Sequence, residues 1–327
     1  MTELQLFLGL IHLIISVPTS VLTLMITTTI YMTKDLFKFL SYKILFQLNF
    51  CYLLHSISHI GVGITVLMDV DCQSMPCKVL GGVLHVGWLG VLSLNFFLCL
   101  ERMNVTLCKN YVHINKVVFM VLTCISWLYG FIACVLDLTP YLTFFFNPEI
   151  AQWDFAGPYA TRFIEFGQIF TFTILPITFI LYVVIYVYLA KQRGNIYTTA
   201  NSNQQGLLER SVLFSSTLMF LYPVVEEIVY FALRTMGKTS FWTKICAQIL
   251  WICLPLFCQI VQIVFNRQVT RPQNTNVMLA SFRSIRRNLT KRLIKIMMSR
   301  KNTTITSVKS ISITVLGARR NDVQISA

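Results

Sequence analysis

The sequence predicts an all-α membrane protein: a seven-transmembrane helix bundle with its N-terminus outside and a basic cytoplasmic tail that includes an amphipathic helix. Three observations predict it. Hydrophobic residues make up 55% of the 327 residues and charged residues only 12%, about half the charged share of a soluble domain. Mean hydropathy is +0.66. The apolar residues are gathered into seven runs, each near the roughly 20 residues needed to cross a ~30 Å hydrocarbon layer.

The first run spans about Phe7 to Met32, with no charge between Glu3 and Lys34. It has no basic leading segment or small-residue cleavage site and is too long for a signal-peptide core, so it is expected to be retained. The second run is about Ile44 to Met68 and the third about Val79 to Leu100. The fourth, Val117 to Leu136, stops just before Asp137. The fifth, about Phe163 to Leu189, has Glu165 near its start, and the sixth, Ser211 to Leu233, contains Glu226 and Glu227. The seventh is about Ile245 to Phe265. β-Branched residues are frequent in places, but runs near 20 exceed the strands of a barrel. In lipid a helix satisfies its own backbone hydrogen bonds. No internal repeat is visible, so an inverted-repeat transporter gains no support.

Charge gives the orientation. Of 27 Lys and Arg, 13 lie after Phe265, and a further 9 lie in the loops on the same side, 33–43, 101–116 and 190–210. The opposite loops hold Lys78, Arg162, Arg234, Lys238 and Lys244. The positive-inside rule therefore places the tail in the cytoplasm. The net charge of +14 then reads as a segment facing anionic lipid rather than as a nucleic-acid site. Two parts follow: a transmembrane domain, 1–266, and a tail, 267–327. Within the tail, Phe282, Ile285, Leu289 and Ile296 recur at helical spacing among Arg283, Arg286, Arg287, Lys291, Arg292 and Lys295. This reads as a basic helix of about 281–301 lying on the bilayer, or as an unstructured basic linker. Beyond Asn302 the Ser and Thr residues crowd together, either as sites for phosphate or as plain disorder.

The chain lacks zinc-spaced cysteine pairs, a Gly-rich phosphate loop, HExxH, a Ser-His-Asp order and paired catalytic carboxylates. An enzyme is not expected, nor a cofactor or a metal. His55 and His59 stand four apart on one helix face, but no clear carboxylate or thiol accompanies them. Most of the ten cysteines lie inside apolar runs and read as small buried hydrophobes. Ionisable residues within the spans are costly and usually face the bundle interior. His59 lies ten residues below Asp69, His85 seven below Lys78, and Glu226 and Glu227 seven or eight below Arg234. At ~1.5 Å per residue all sit roughly 10–15 Å below the outer surface. Two readings follow: a small-molecule pocket lined by His59, His85, Trp88, Glu226 and Trp251, or a structural His–Glu pair locking helices. Neighbours on a helix differ by ~100°, so one of the two glutamates is expected to point elsewhere.

The third run ends in LNFFLCLERMN, where Glu101 and Arg102 stand at the cytoplasmic boundary. Such a pair serves as an interface anchor or as a switch. It resembles the acid–Arg pair that rhodopsin-like G-protein-coupled receptors carry at this place. Trp127, Pro176 and Pro223 also fall where that bundle has comparable residues. With Pro255, the two prolines are expected bend sites, since a membrane proline frees a backbone carbonyl. The stretches SYKILFQLNFCYLLHSISHIGVGI, LCLERMN and QILWICLPLFCQIVQIVFNRQVTR resemble nematode serpentine chemoreceptors, most closely class T.

The resemblance implies a chemosensory receptor in the plasma membrane, in sensory cilia, that binds a small-molecule ligand in the outer half of the bundle. It implies a heterotrimeric G protein as partner, with Arg102 restrained at rest, and arrestin or a receptor kinase at the Ser/Thr-rich tail. The alternative is a membrane transporter or an inverted-topology ligand-gated odorant channel. There are departures. Met103 replaces the usual aromatic residue, and the seventh span has PLFCQ in place of Asn-Pro-x-x-Tyr, with Gln259 or Gln262 at the Tyr position. The second span lacks the sodium-binding Asp, and loop 139–162 lacks a cysteine. Cys72 and Cys77 are left either to bridge each other or to stay free.

Orientation is directly testable. An epitope fused after Ala327 is expected to be labelled only in permeabilised cells, and Asn288 and Asn302 are expected to carry no glycan. Labelling of intact cells would reverse the topology.

Overall fold

A computed structural model describes residues 2–107, 116–193, 203–235 and 241–265. The expected basic helix, the Ser/Thr-rich end, Arg267, Asn288 and Asn302 lie outside them. The elements run α1 (Glu3–Met32), a single turn α2 (Lys34–Phe37), α3 (Leu40–Leu67), α4 (Met75–Leu107) and α5 (Lys116–Asp137). A hairpin follows, β1 (Thr143–Asn147) and β2 (Gln152–Ala156), and then α6 (Ala160–Arg193), α7 (Asn203–Thr235) and α8 (Phe241–Phe265). The seven long helices are each long and apolar enough to cross a membrane. They contain the seven expected runs and extend them by polar turns, such as the start of α1, where Thr2 and Gln5 cap each other reciprocally.

Large apolar side chains stay exposed along the outer faces, among them Ile14, Leu128, Phe131 and Ile169. In water this would be an aggregation surface; in a bilayer it is the lipid contact. Lipid gives helices no hydrophobic reason to associate, so close packing and polar contacts take over. At the α1–α3 crossing, a Cβ on Gly9 would come within 3.1 Å of the Gly63 carbonyl oxygen, and one on Gly63 within 3.0 Å of the Gly9 carbonyl oxygen. α4 is central and touches α3, α5, α6, α7 and β1. Toward one end of the bundle, Leu8, Val62, Val66, Leu84, Phe144, Phe146, Trp153 and Ile245 form one core, so the hairpin is part of it. Toward the other, Leu92 and Cys99 of α4 pack with Leu175, Tyr182 and Ile185 of α6 and Leu213 and Phe220 of α7.

Helix continues through Pro176, Pro223 and Pro255, and through Pro18 in α1. A proline cannot donate to the carbonyl four residues earlier. For Pro255 that carbonyl is Trp251, which accepts from His55 Nε2 of α3 at 3.2 Å. For Pro223 it is Met219, which the Cys258 thiol of α8 approaches at 4.0 Å. Two of the expected bend sites thus become contacts between helices.

The hairpin was not expected from the sequence. Its strands pair antiparallel from Thr143↔Ala156 to Asn147↔Gln152. The four-residue connection is set by Asn147, whose Oδ1 accepts from the Glu149 amide at 3.0 Å. β1 is seated on α4 at Gly81, where an added Cβ would lie 1.8 Å from the Phe144 carbonyl oxygen. That atom is backbone and cannot swing away. Gly81→Ala is therefore expected to lift the hairpin and cost ~1–3 kcal/mol, as overpacking does. Thermal unfolding of the purified protein measures this, and an unchanged midpoint would show that the hairpin is not seated on α4.

Candidate functional site

Near the hairpin, α4, α6, α7, α8 and both strands line a partly open cavity of about 150 Å³. Of the five residues expected to line a pocket, the structure brings four to it: His85, Trp88, Glu226 and Trp251. Each comes from turns near the hairpin end of its helix, because burial of ionisable and indole groups favours the bundle interior over lipid. His59 is elsewhere. It is fully buried behind the cavity wall, edge-on to Trp153 and Trp251 with ring centroids 5.9 and 6.5 Å away. Its Nε2 lies 3.1 Å from His55 Nε2, and its ring is 5.1 Å from His12. This histidine group belongs to the α1–α3 packing. Among the described residues no group of three or more His, Cys, Asp or Glu is arranged to hold a metal ion.

The expectation that one of the adjacent glutamates points away is corrected: Glu227 lines the cavity together with Glu226. The cavity spreads around α7, reaching Ile164 and Thr171 on α6 and Gln248 and Trp251 on α8, so positions ~100° apart both border it. The alternative reading, a His–Glu pair locking helices, is not what His85 makes. His85 Nδ1 donates to Asp137 Oδ2 at 2.8 Å, and Asp137 is fully buried at the end of α5. By sequence Asp137 stands at the boundary of its span while His85 lies inside its own, so residue counting does not pair them; the tilt and offset of α4 and α5 do.

Trp153 and Phe155 of β2 and Phe144 of β1 complete the aromatic wall. Phe144 stacks on Phe155 with centroids 4.4 Å apart and on Trp153 at 5.0 Å. Trp251 meets Trp88 at 6.0 Å and Trp153 at 6.3 Å. Gly167 of α6 also lines the space, and a Cβ placed there meets nothing within 4 Å.

At the far end of α4, Arg102 Nε donates to Glu101 Oε2 at 2.8 Å, and the Ser41 hydroxyl donates to Glu101 Oε1 at 3.0 Å. Glu101 and Arg102 are 4% and 8% exposed, so the pair is built into the bundle rather than set in the interface. Between the two ends, Asn49 of α3 and Gln262 of α8 exchange hydrogen bonds of 3.0 Å each way. Gln259 Nε2 donates to Asn49 Oδ1 at 2.8 Å. Gln259 and Gln262, the two alternatives for the missing Tyr position, thus both bind Asn49.

Seven membrane-crossing helices, a partly open cavity at one end and a buried acid–Arg pair at the other are the architecture of a seven-helix receptor. The fold is similar to that of squid rhodopsin, with a TM-score of 0.69 at 11% identity, covering 81% of this chain and 78% of that chain. Among curated proteins, none matches this chain. A family model described as "Serpentine type 7TM GPCR chemoreceptor Srt" matches residues 1–287. The chain belongs to that family, a multi-pass membrane chemoreceptor of the G-protein-coupled type, and the resemblance read from the sequence is borne out.

Cys72 and Cys77 are both free thiols. Cys72, in the connection before α4, is held above its ordinary pKa by burial and by the charge of Asp71. Its thiolate fraction at neutral pH is therefore small. An impermeant maleimide is expected to label Cys72 on intact cells without prior reduction, slowly at neutral pH and faster as pH rises. A requirement for reductant would establish a bridge.

Proposed function

We propose that this receptor binds a small molecule in the cavity beside the hairpin and answers by releasing Arg102 to a heterotrimeric G protein. The observation that carries the reading is that α4 holds both ends: His85 and Trp88 on the cavity wall, and Glu101 and Arg102 at its other terminus. The separation is roughly 20 Å of rigid helix. In between, Leu92 and Cys99 pack on α6 and α7, and those two helices also line the cavity. A ligand that favours a different spacing of α6 and α7 shifts the population toward a bundle whose inner packing no longer confines Arg102. The cavity end then faces outward and the Arg102 end faces the cytoplasm, as the charge distribution reads. The Ser/Thr-rich tail is the corresponding place for a receptor kinase and arrestin.

The test is a chemical screen in cells that express the receptor with a promiscuous G protein. Gly167→Leu is expected to weaken the potency of active compounds by about tenfold, the effect of ~1.4 kcal/mol lost in the pocket. Arg102→Ala is expected to abolish signalling while the receptor still reaches the surface. Unchanged potency at Gly167→Leu would remove the cavity from ligand binding, and full signalling by Arg102→Ala would remove the switch.

A further inference from the structure

The cavity holds carboxyl groups without matching bases. Glu226 and Glu227 border it, and among the described residues no Lys or Arg does. Its one histidine, His85, is already paired with Asp137. Glu226 Oε2 is buried without a hydrogen-bond partner. Gln248, 4% exposed, lines the same cavity with Nε2 unpartnered. The indole nitrogens of Trp153 and Trp251 are likewise unpartnered. Residues of α7, α8 and β2 that line one space thus carry polar atoms with their hydrogen bonds unmade. Buried polar groups are nearly always satisfied, so these atoms call for partners that an occupant, with small side-chain turns, would supply.

Much of the wall is aromatic, with Trp88, Phe144, Trp153, Phe155, Phe163 and Trp251 among its residues. Aromatic faces are electron-rich and attract cations, the more so away from water. Carboxylates out of water need a counter-charge or a proton. A cation serves both features at once. A neutral guest fits the aromatic wall but leaves the carboxyl groups without a counter-charge, and an anion is repelled. A cavity of about 150 Å³ matches the size of an engineered cavity that admits benzene, so the guest has a body near one ring in size.

Resting on the reading of this cavity as the ligand site, we propose that the ligand is a cation. It is a protonated or quaternary amine on a compact apolar body, with its ammonium group against Glu226 and Glu227 and its body between the indole and phenyl rings. Gln248 and Trp251 offer their N–H groups to an oxygen on the ligand or to water.

The test uses the purified full chain in detergent and three compounds of one shape: 2-phenylethylamine, 2-phenylethanol and phenylacetate. Each is titrated at neutral pH, and the midpoint of thermal unfolding is followed, since a bound ligand raises it. The amine is expected to shift the midpoint saturably, with at least about tenfold tighter binding than the alcohol, while phenylacetate gives no shift. Glu226→Gln combined with Glu227→Gln is expected to remove the amine's advantage. The proposal is overturned if the amine does not bind, if the alcohol or the acid binds as tightly, or if the preference survives the double substitution. The comparison on the unmodified chain decides the matter even where the double variant does not fold. Tighter binding of the alcohol or acid, weakened by Gly167→Leu, would overturn the charge assignment and leave the ligand cavity standing. Binding of all compounds indifferent to Gly167→Leu would sink the cavity itself.

Discussion

The hydrocarbon core of a membrane offers no water, so every polar group placed there must find its partner inside the protein. Much of this bundle can be read as a solution to that constraint. Pro255 frees the Trp251 carbonyl, and a histidine from another helix takes it up. Asn49 is satisfied by two glutamines of α8. Trp127, mid-way along α5, donates its indole N–H to Gln47 of α3 at 3.0 Å. Each such bond has a small net value, about 0.6–2 kcal/mol in membranes, but it fixes which helix faces touch. Apolar packing alone would leave the helices free to rotate against each other, because lipid tails are as acceptable to leucine as another helix is.

The same constraint explains what was legible in the sequence. The number and order of the long helices follow from hydropathy, because insertion into lipid is decided run by run. The acid–Arg pair was legible because charge at the end of an apolar run is conspicuous. The hairpin was not, because Phe144, Phe145 and Phe146 are all buried and the alternation that marks a half-buried strand is missing. Partner choice was also out of reach. Depth along each helix can be counted, which puts His59, His85, Glu226 and Glu227 at one level. Rotation about each helix axis could not be counted. That is why His85 pairs with Asp137 instead of a glutamate, why Glu227 joins Glu226, and why His59 lies behind the wall.

The two cores divide the labour along α4. The one at the hairpin end is built from α1, α3, α4, α8 and the hairpin, and is tightened by glycine contacts at Gly9, Gly63 and Gly81. The other is built from α4, α6 and α7. The cavity sits where the first gives way to α6 and α7. Close-packed interiors deform poorly and tend to switch between discrete arrangements; under the proposed function, a guest between the first core and the two helices that also form the far core would act on both ends together.

Three of the seven Phe, Trp and Tyr residues that line the cavity belong to the hairpin: Phe144, Trp153 and Phe155. A span must satisfy the insertion machinery as well as the fold, and an Asp, Lys or Arg at its centre is penalised by ~2.5–3.5 kcal/mol. A two-stranded ribbon between α5 and α6 carries no such duty. Its side chains can be exchanged for larger, smaller or more polar ones without endangering membrane entry, provided its seat on Gly81 is kept. New chemical preferences would then arise first in this ribbon, while the helices hold the signalling frame constant.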